Sequence, residues 1–128
     1  MNSQMDFSEF KQRVHESIPK GTILDNPGGG TSTILSYPPD AVSYRRGNST
    51  MYVSLRDLFD GYVRFKGGHM SSSDLKVINP SVFDSQARPA GHSCNCTFLF
   101  MLLQKIGVVT HIQGCGVRGN PFFVDLKE

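Results

Sequence analysis

Long apolar runs are missing from this sequence. The longest, Phe98–Leu103, covers six residues, far short of the roughly 20 that a helix needs to cross a bilayer. Cysteine is scarce and odd in number, three among 128 residues, so the thiols cannot all pair with one another. No basic segment leading into an apolar stretch opens the chain. No secretory signal is therefore expected, and reduced thiols in a cytoplasmic protein follow. Internal repeats and low-complexity tracts are also lacking. With 38% hydrophobic and 19% charged residues, the composition is that of neither a disordered tail nor a membrane protein. The length predicts one domain over residues 1–128, able to bury about two-thirds of its unfolded surface.

Charge of one sign is not in excess overall, with 13 basic and 11 acidic residues and a net charge of +2. Its distribution is uneven. Residues 1–40 carry net −2, residues 41–120 net +5 and residues 121–128 net −1. The basic middle contains Arg45, Arg46, Arg56, Arg64, Lys66, Lys76, Arg88, Lys105 and Arg118. Such a bias suits a polyanionic partner, and it also suits an ordinary solvated surface.

The local pattern predicts an α+β fold. Asp6-x-x-Glu9 resembles a capping box ahead of the stripe Phe7, Phe10, Val14 and Ile18, and Pro19 ends that helix. Extended runs at Thr31–Tyr37, Val42–Arg45 and Thr50–Val53 predict a three-stranded antiparallel meander, with Gly47-Asn48 as a hairpin turn. Ser54 caps a helix whose apolar positions Leu55, Leu58, Phe59, Tyr62 and Val63 match the helical period without a miss. Ser71-x-x-Asp74 opens a short helix through Ile78, and residues 80–93 read as a loop. A long helix follows from near Ser93 to Ile106, with Gly107 as its C-cap. A closing hairpin is expected between Val108–Gln113 and Phe122–Leu126. Leu55, Leu58, Phe59, Tyr62, Phe98, Leu99, Leu102, Ile106, Phe122 and Val124 form the expected core.

From Leu55 to Leu126 the order helix, short helix, long helix, hairpin resembles a winged helix-turn-helix domain. The likeness centres on Leu102-Leu103-Gln104-Lys105-Ile106-Gly107-Val108-Val109, followed by a glycine-rich loop with Arg118 and the strand Phe122-Phe123-Val124. It covers just over half the chain and concerns the fold. It implies a third helix in the major groove, with Ser93, Asn95 and Thr97 at its groove end, and Arg118 on the wing. The sequence departs from that pattern in two respects. Phe98–Leu103 leaves the helix almost no polar face, which points to burial on every side or to packing on a second copy. The stretch 80–93 is also much longer than the usual turn. In size, α+β organisation and lack of an enzyme motif, the chain further resembles the small uncharacterised proteins encoded on mobile integron gene cassettes. That resemblance implies a bacterial, cytoplasmic, accessory role.

Several residue sets carry possible chemistry. His92, Cys94, Cys96, His111 and Cys115 could supply zinc ligands, although Cys-x-Cys is not the usual knuckle spacing and a buried cysteine explains Cys96 as well. Cys94 at a helix start, with His92 or His69 nearby, has the ingredients of a thiol nucleophile but no visible orienting partner. Residues 26–33, Asn-Pro-Gly-Gly-Gly-Thr-Ser-Thr, could cradle a phosphate with backbone amides or simply turn the chain before a strand. No Gly-Lys-Ser/Thr follows, so this is not a Walker A loop. Asp57 and Asp60 share a helix, and Asp57 already serves the cap. Arg45-Arg46, beside Tyr44 and Tyr52, is the best basic and aromatic patch. Neighbours on a strand point to opposite sides, and the turn frees Arg46 to reach a phosphate.

The leading expectation is a non-enzymatic accessory binding module, with nucleic acid as partner. Arg45, Arg46 and Arg118 would contact phosphates, with Asn95 and Thr97 nearest the base edges. The alternatives are a homodimeric protein-interaction module built on the Phe98–Leu103 helix, and a Cys/His-dependent enzyme or zinc site. No cofactor and no metal site are expected, and no membrane.

Overall fold

Helices form where a side chain can cap the first turn. In the computed structural model, which describes residues 5–88 and 91–126, α1 spans Phe7–Ser17 and begins where the Asp6 carboxylate accepts the Glu9 N–H at 2.8 Å. Phe10, Val14 and Ile18 bury its inner stripe. The chain then forms β1 (Ile23–Asp25), β2 (Thr31–Ser36), β3 (Ala41–Arg46) and β4 (Ser49–Ser54), an antiparallel sheet in the order β1-β2-β3-β4. The expected three-stranded meander is therefore extended by β1. Gly47 takes φ +59° while Asn48 stays out of the left-handed region, as a two-residue turn with glycine first requires.

The sheet alternates as a one-sided surface should. On the inner face, Ser32 lies opposite Arg46, Ile34 opposite Tyr44, and Tyr44 opposite Met51. Ile34, Val42, Tyr44 and Val53 are buried, whereas Tyr52 and Ile23 on the other face are more than 60% exposed. Ser54 ends β4 and at once caps α2 (Leu55–Phe65), accepting the Asp57 N–H. After β5 (His69–Ser71), the reciprocal capping box Ser71/Asp74 starts α3 (Ser72–Ile78).

Three expectations are corrected. The stretch 80–93 is not all loop: Pro80, whose fixed φ suits a first helical position, starts the short α4 (Pro80–Phe83). Pro89 and Ala90 lie outside the described residues. The last strand, β6 (Phe123–Asp125), pairs with β5 rather than with residues 108–113. The cause lies at the end of the long helix α5 (Cys94–Lys105). There Gly107 takes φ +87°, and the Val108 and Val109 N–H groups turn back onto the Leu103 carbonyl. Those amides are spent on the helix end, so only the Gln113–Phe123 bridge of the expected hairpin remains.

For α5 the expected burial on every side holds, and the third correction is to the placement of its first turn at a groove. Every residue from Asn95 to Leu103 is buried, and Phe98–Leu103 are at most 3% exposed within one chain. A helix with no free face can neither dock on a second copy nor lie in a groove without unpacking the core. Phe98 stacks flat on Tyr44, with ring centroids 3.8 Å apart, which fixes α5 beneath the sheet. Of the ten expected core residues, all are fully buried except Ile106 and Phe122, which are partly buried against the core. Among the described residues no helix is long and apolar enough to cross a membrane.

Candidate functional site

The turn between β3 and β4 and the loop between β1 and β2 lie at the same end of the sheet, because Ser32 pairs with Arg46. The N-terminus of α5 reaches that end too. Together they enclose a cleft of about 720 Å³. One wall is the loop Asn26–Gly30, continuing into Thr31 and Thr33. A second comes from the hairpin, with Arg45, Arg46, Gly47, Ser49 and Met51. The third comes from the approach to α5, with Ser85, His92 and Cys94.

Each wall has a local cause. Asn26 closes the glycine loop: its N–H donates to the Gly30 carbonyl at 2.9 Å, and its amide oxygen accepts from the buried Ser32 hydroxyl at 2.7 Å. Gly29 and Gly30 adopt φ +110° and +76°, conformations that side chains strain. Gly28 packs against the ring of Phe122, and so does Gly116, where an added Cβ would stand 2.2 Å from the ring. Phe122 thereby ties the loop that carries Arg118 to the glycine loop. The third wall is held by a clasp in which the Ser85 and Ser93 hydroxyls lie 3.0 Å apart and the Ser93 N–H donates to Ser85 Oγ. Because the Ser93 hydroxyl is engaged there, it does not cap α5.

Two arginines, Arg45 and Arg46, line the cleft beside His92, and among the described residues no carboxylate does. Among the described residues neither arginine forms a salt bridge, whereas Lys11, Arg13 and Arg56 each pair with an acid. Cys94, the first residue of α5, brings the positive end of a 12-residue helix dipole to the same place. The sequence gives the glycine loop no helix of its own, yet a distant helix supplies that end.

Beneath the cleft lies a buried polar link. The Tyr44 hydroxyl donates to Asn95 Oδ1 at 2.7 Å and lies 3.4 Å from Cys94 Sγ, while Asn95 Nδ2 donates to the Val82 carbonyl at 2.9 Å. Burial pushes the Tyr44 phenol far above its usual range, the neighbouring Cys94 thiol adds to this, and the Arg46 guanidinium works against it. Tyr44 is therefore a neutral hydrogen-bond donor at any physiological pH.

The five expected contact residues separate into two surface groups and a buried pair. Arg45 and Arg46 meet in the cleft, both reaching it although they alternate along β3. Arg118 is exposed on the turn between Val117 and Asn120, outside the lining. Asn95 and Thr97 are 2% and 9% exposed, and both are engaged internally, Thr97 through the Cys94 carbonyl. Neither can meet a base edge. The five candidate zinc ligands are also dispersed. Cys96 is buried, its thiol 3.6 Å from the Phe83 carbonyl, and burial pushes that thiol up to about 12. His111 and Cys115 are exposed on the C-terminal loop. Among the described residues no three His, Cys, Asp or Glu side chains converge. Asp57 and Asp60 border a smaller hollow of about 200 Å³ with Arg64, away from the basic cleft.

The sequence singled out the arginine pair, the glycine loop and His92 with Cys94, and did not join these three. Ser49, Met51 and Ser85 carry no sequence signal. Comparison with protein-family models, with curated proteins and with solved structures found no match to the chain.

Proposed function

We propose that the chain is a nucleic-acid-binding module whose phosphate contacts centre on the cleft at the end of the sheet. The observation that carries this reading is that Arg45 and Arg46, unpaired with any described acid, both border a concave site in whose lining no carboxylate lies among the described residues. Two arginines bordering one cleft with no acid to neutralise them favour an anion there. Arginine offers a planar fork that matches phosphate oxygens. The dipole of α5 adds to the same field. Arg118 lies on the loop tied to the cleft wall by Phe122, and this reading assigns it a neighbouring phosphate of a strand that leaves the cleft. The mildly basic middle of the sequence supports the same partner.

The test is fluorescence anisotropy of a labelled mixed-sequence oligonucleotide, titrated from low to physiological salt. Binding should fall as salt rises, and Arg46→Ala should lower the slope of log K against log salt by about 1, the signature of one lost phosphate contact. Binding unchanged in Arg45→Ala and Arg46→Ala, or absent at low salt, would refute the reading.

A further inference from the structure

We infer that the cleft takes one complete nucleotide unit, base and phosphate together, from an unpaired position or as a free nucleoside monophosphate. The inference rests on the phosphate-binding reading above and adds what else enters. A phosphate alone would fill little of 720 Å³, a volume within the range of small-molecule sites, roughly 300–1,000 Å³. The strand register separates chemically different groups along the sheet. Arg46 and Ser49 form the outermost rung of the β3–β4 ladder, and Met51, opposite Tyr44, lies one inner-face rung further in. Charge therefore lies at the end of the sheet, and a polarizable thioether lies further from that end. His92 lines the same cleft from the approach to α5. A flat ring between an imidazole and a thioether, with its phosphate at the arginines, satisfies both ends of the cleft.

A paired base is stacked on both faces within its duplex and cannot enter such a recess. An unpaired one pays less to leave the stack. The hydrogen-bonding groups that remain free predict weak base preference. The Asn26 amide, the only side-chain amide in the lining, is committed to Ser32 and the Gly29 carbonyl, and Ser85 is committed to Ser93. Thr31, Thr33 and Ser49 are left, and a hydroxyl rotates to donate or accept as the base requires.

The experiment compares three probes by anisotropy and competition: a fully paired duplex, the same duplex with one central unpaired nucleotide, and adenosine 5′-monophosphate set against inorganic phosphate. The unpaired site should bind about tenfold tighter than the paired duplex, and the monophosphate should compete at about tenfold lower concentration than phosphate. Met51→Ala, which removes the thioether on which the base would rest and leaves both arginines in place, should weaken the nucleotide probes and spare inorganic phosphate. A monophosphate that matches the unpaired duplex in affinity identifies a free nucleotide as the ligand, and a stronger duplex identifies a strand. Either supports the inference. Equal, Arg46-dependent binding of paired and unpaired duplexes overturns it and leaves the phosphate reading standing. Loss of all Arg46-dependent binding overturns both.

Discussion

Tyr44→Phe isolates one hydroxyl at the junction between core and cleft. The ring keeps its stack on Phe98, so packing is unchanged, and no cavity larger than an oxygen atom forms. What is lost is the donor to Asn95 Oδ1, a buried acceptor with no other described donor. An orphaned buried acceptor costs about 1–3 kcal/mol. For a chain of this length each kcal/mol lowers the thermal midpoint by about 4 °C, so a fall of about 4–12 °C is expected. Urea unfolding should show a lower midpoint at constant m, because the surface exposed on unfolding does not change. Asn95→Ala removes the partner and also its bond to Val82. The double variant should then be less destabilised than the sum of the two singles by about 1 kcal/mol. A Tyr44→Phe cost below about 0.5 kcal/mol, or strict additivity in the cycle, would refute the account of this link.

Other outcomes follow from single residues. Gly91→Ala should destabilise by roughly 1–3 kcal/mol or more, because its Cβ would stand 2.1 Å from the Asp84 carbonyl oxygen and 2.7 Å from those of Pro80 and Ala87, all rigid backbone. The same variant should weaken oligonucleotide binding by displacing Ser85 and His92. Burial raises the Tyr37 phenol from 10.0 to about 12. The fold favours its neutral form, so that contribution is complete below pH 10 and is lost as pH rises towards 12; Tyr37→Phe should flatten the fall in thermal midpoint over this window. Cys96 should resist alkylation in the native state at pH 8 and react only on unfolding, since its thiol is buried and raised to about 12; equally fast labelling of Cys96 and Cys115 would contradict its placement.

The helices were legible because their signals are local. Asp6, Ser54 and Ser71 each cap the helix that their spacing announces, and the apolar period of α2 names its buried face. The hairpin at Gly47 is similarly a dipeptide property. Pairing between distant segments was not legible. Nothing in Phe123–Asp125 says that it pairs with His69–Ser71 rather than with the nearer Val108–Gln113, and the competing use of the Val108 and Val109 amides appears only once α5 ends. The apolar run of α5 already contradicted a groove-entering helix, so Asn95 and Thr97 could have been read as buried from the same residues. The cleft was legible in fragments. The arginines and the glycine loop sit on neighbouring strands, but His92 and Cys94 join them across about fifty residues, a closure fixed by the stack of Phe98 on Tyr44 and by the Tyr44–Asn95 hydrogen bond.

The most direct measurement locates the bound anion by thiol footprinting. Cys94 lines the cleft and Cys115 is exposed on the separate C-terminal loop, so one chain carries both probe and control. The protein is alkylated with and without a saturating oligonucleotide at low salt, and each cysteine is quantified by mass spectrometry. The account predicts that the oligonucleotide slows Cys94 labelling severalfold, leaves Cys115 unchanged, and loses this effect in Arg46→Ala. Bound oligonucleotide with undiminished Cys94 labelling would place the ligand elsewhere and contradict the central claim.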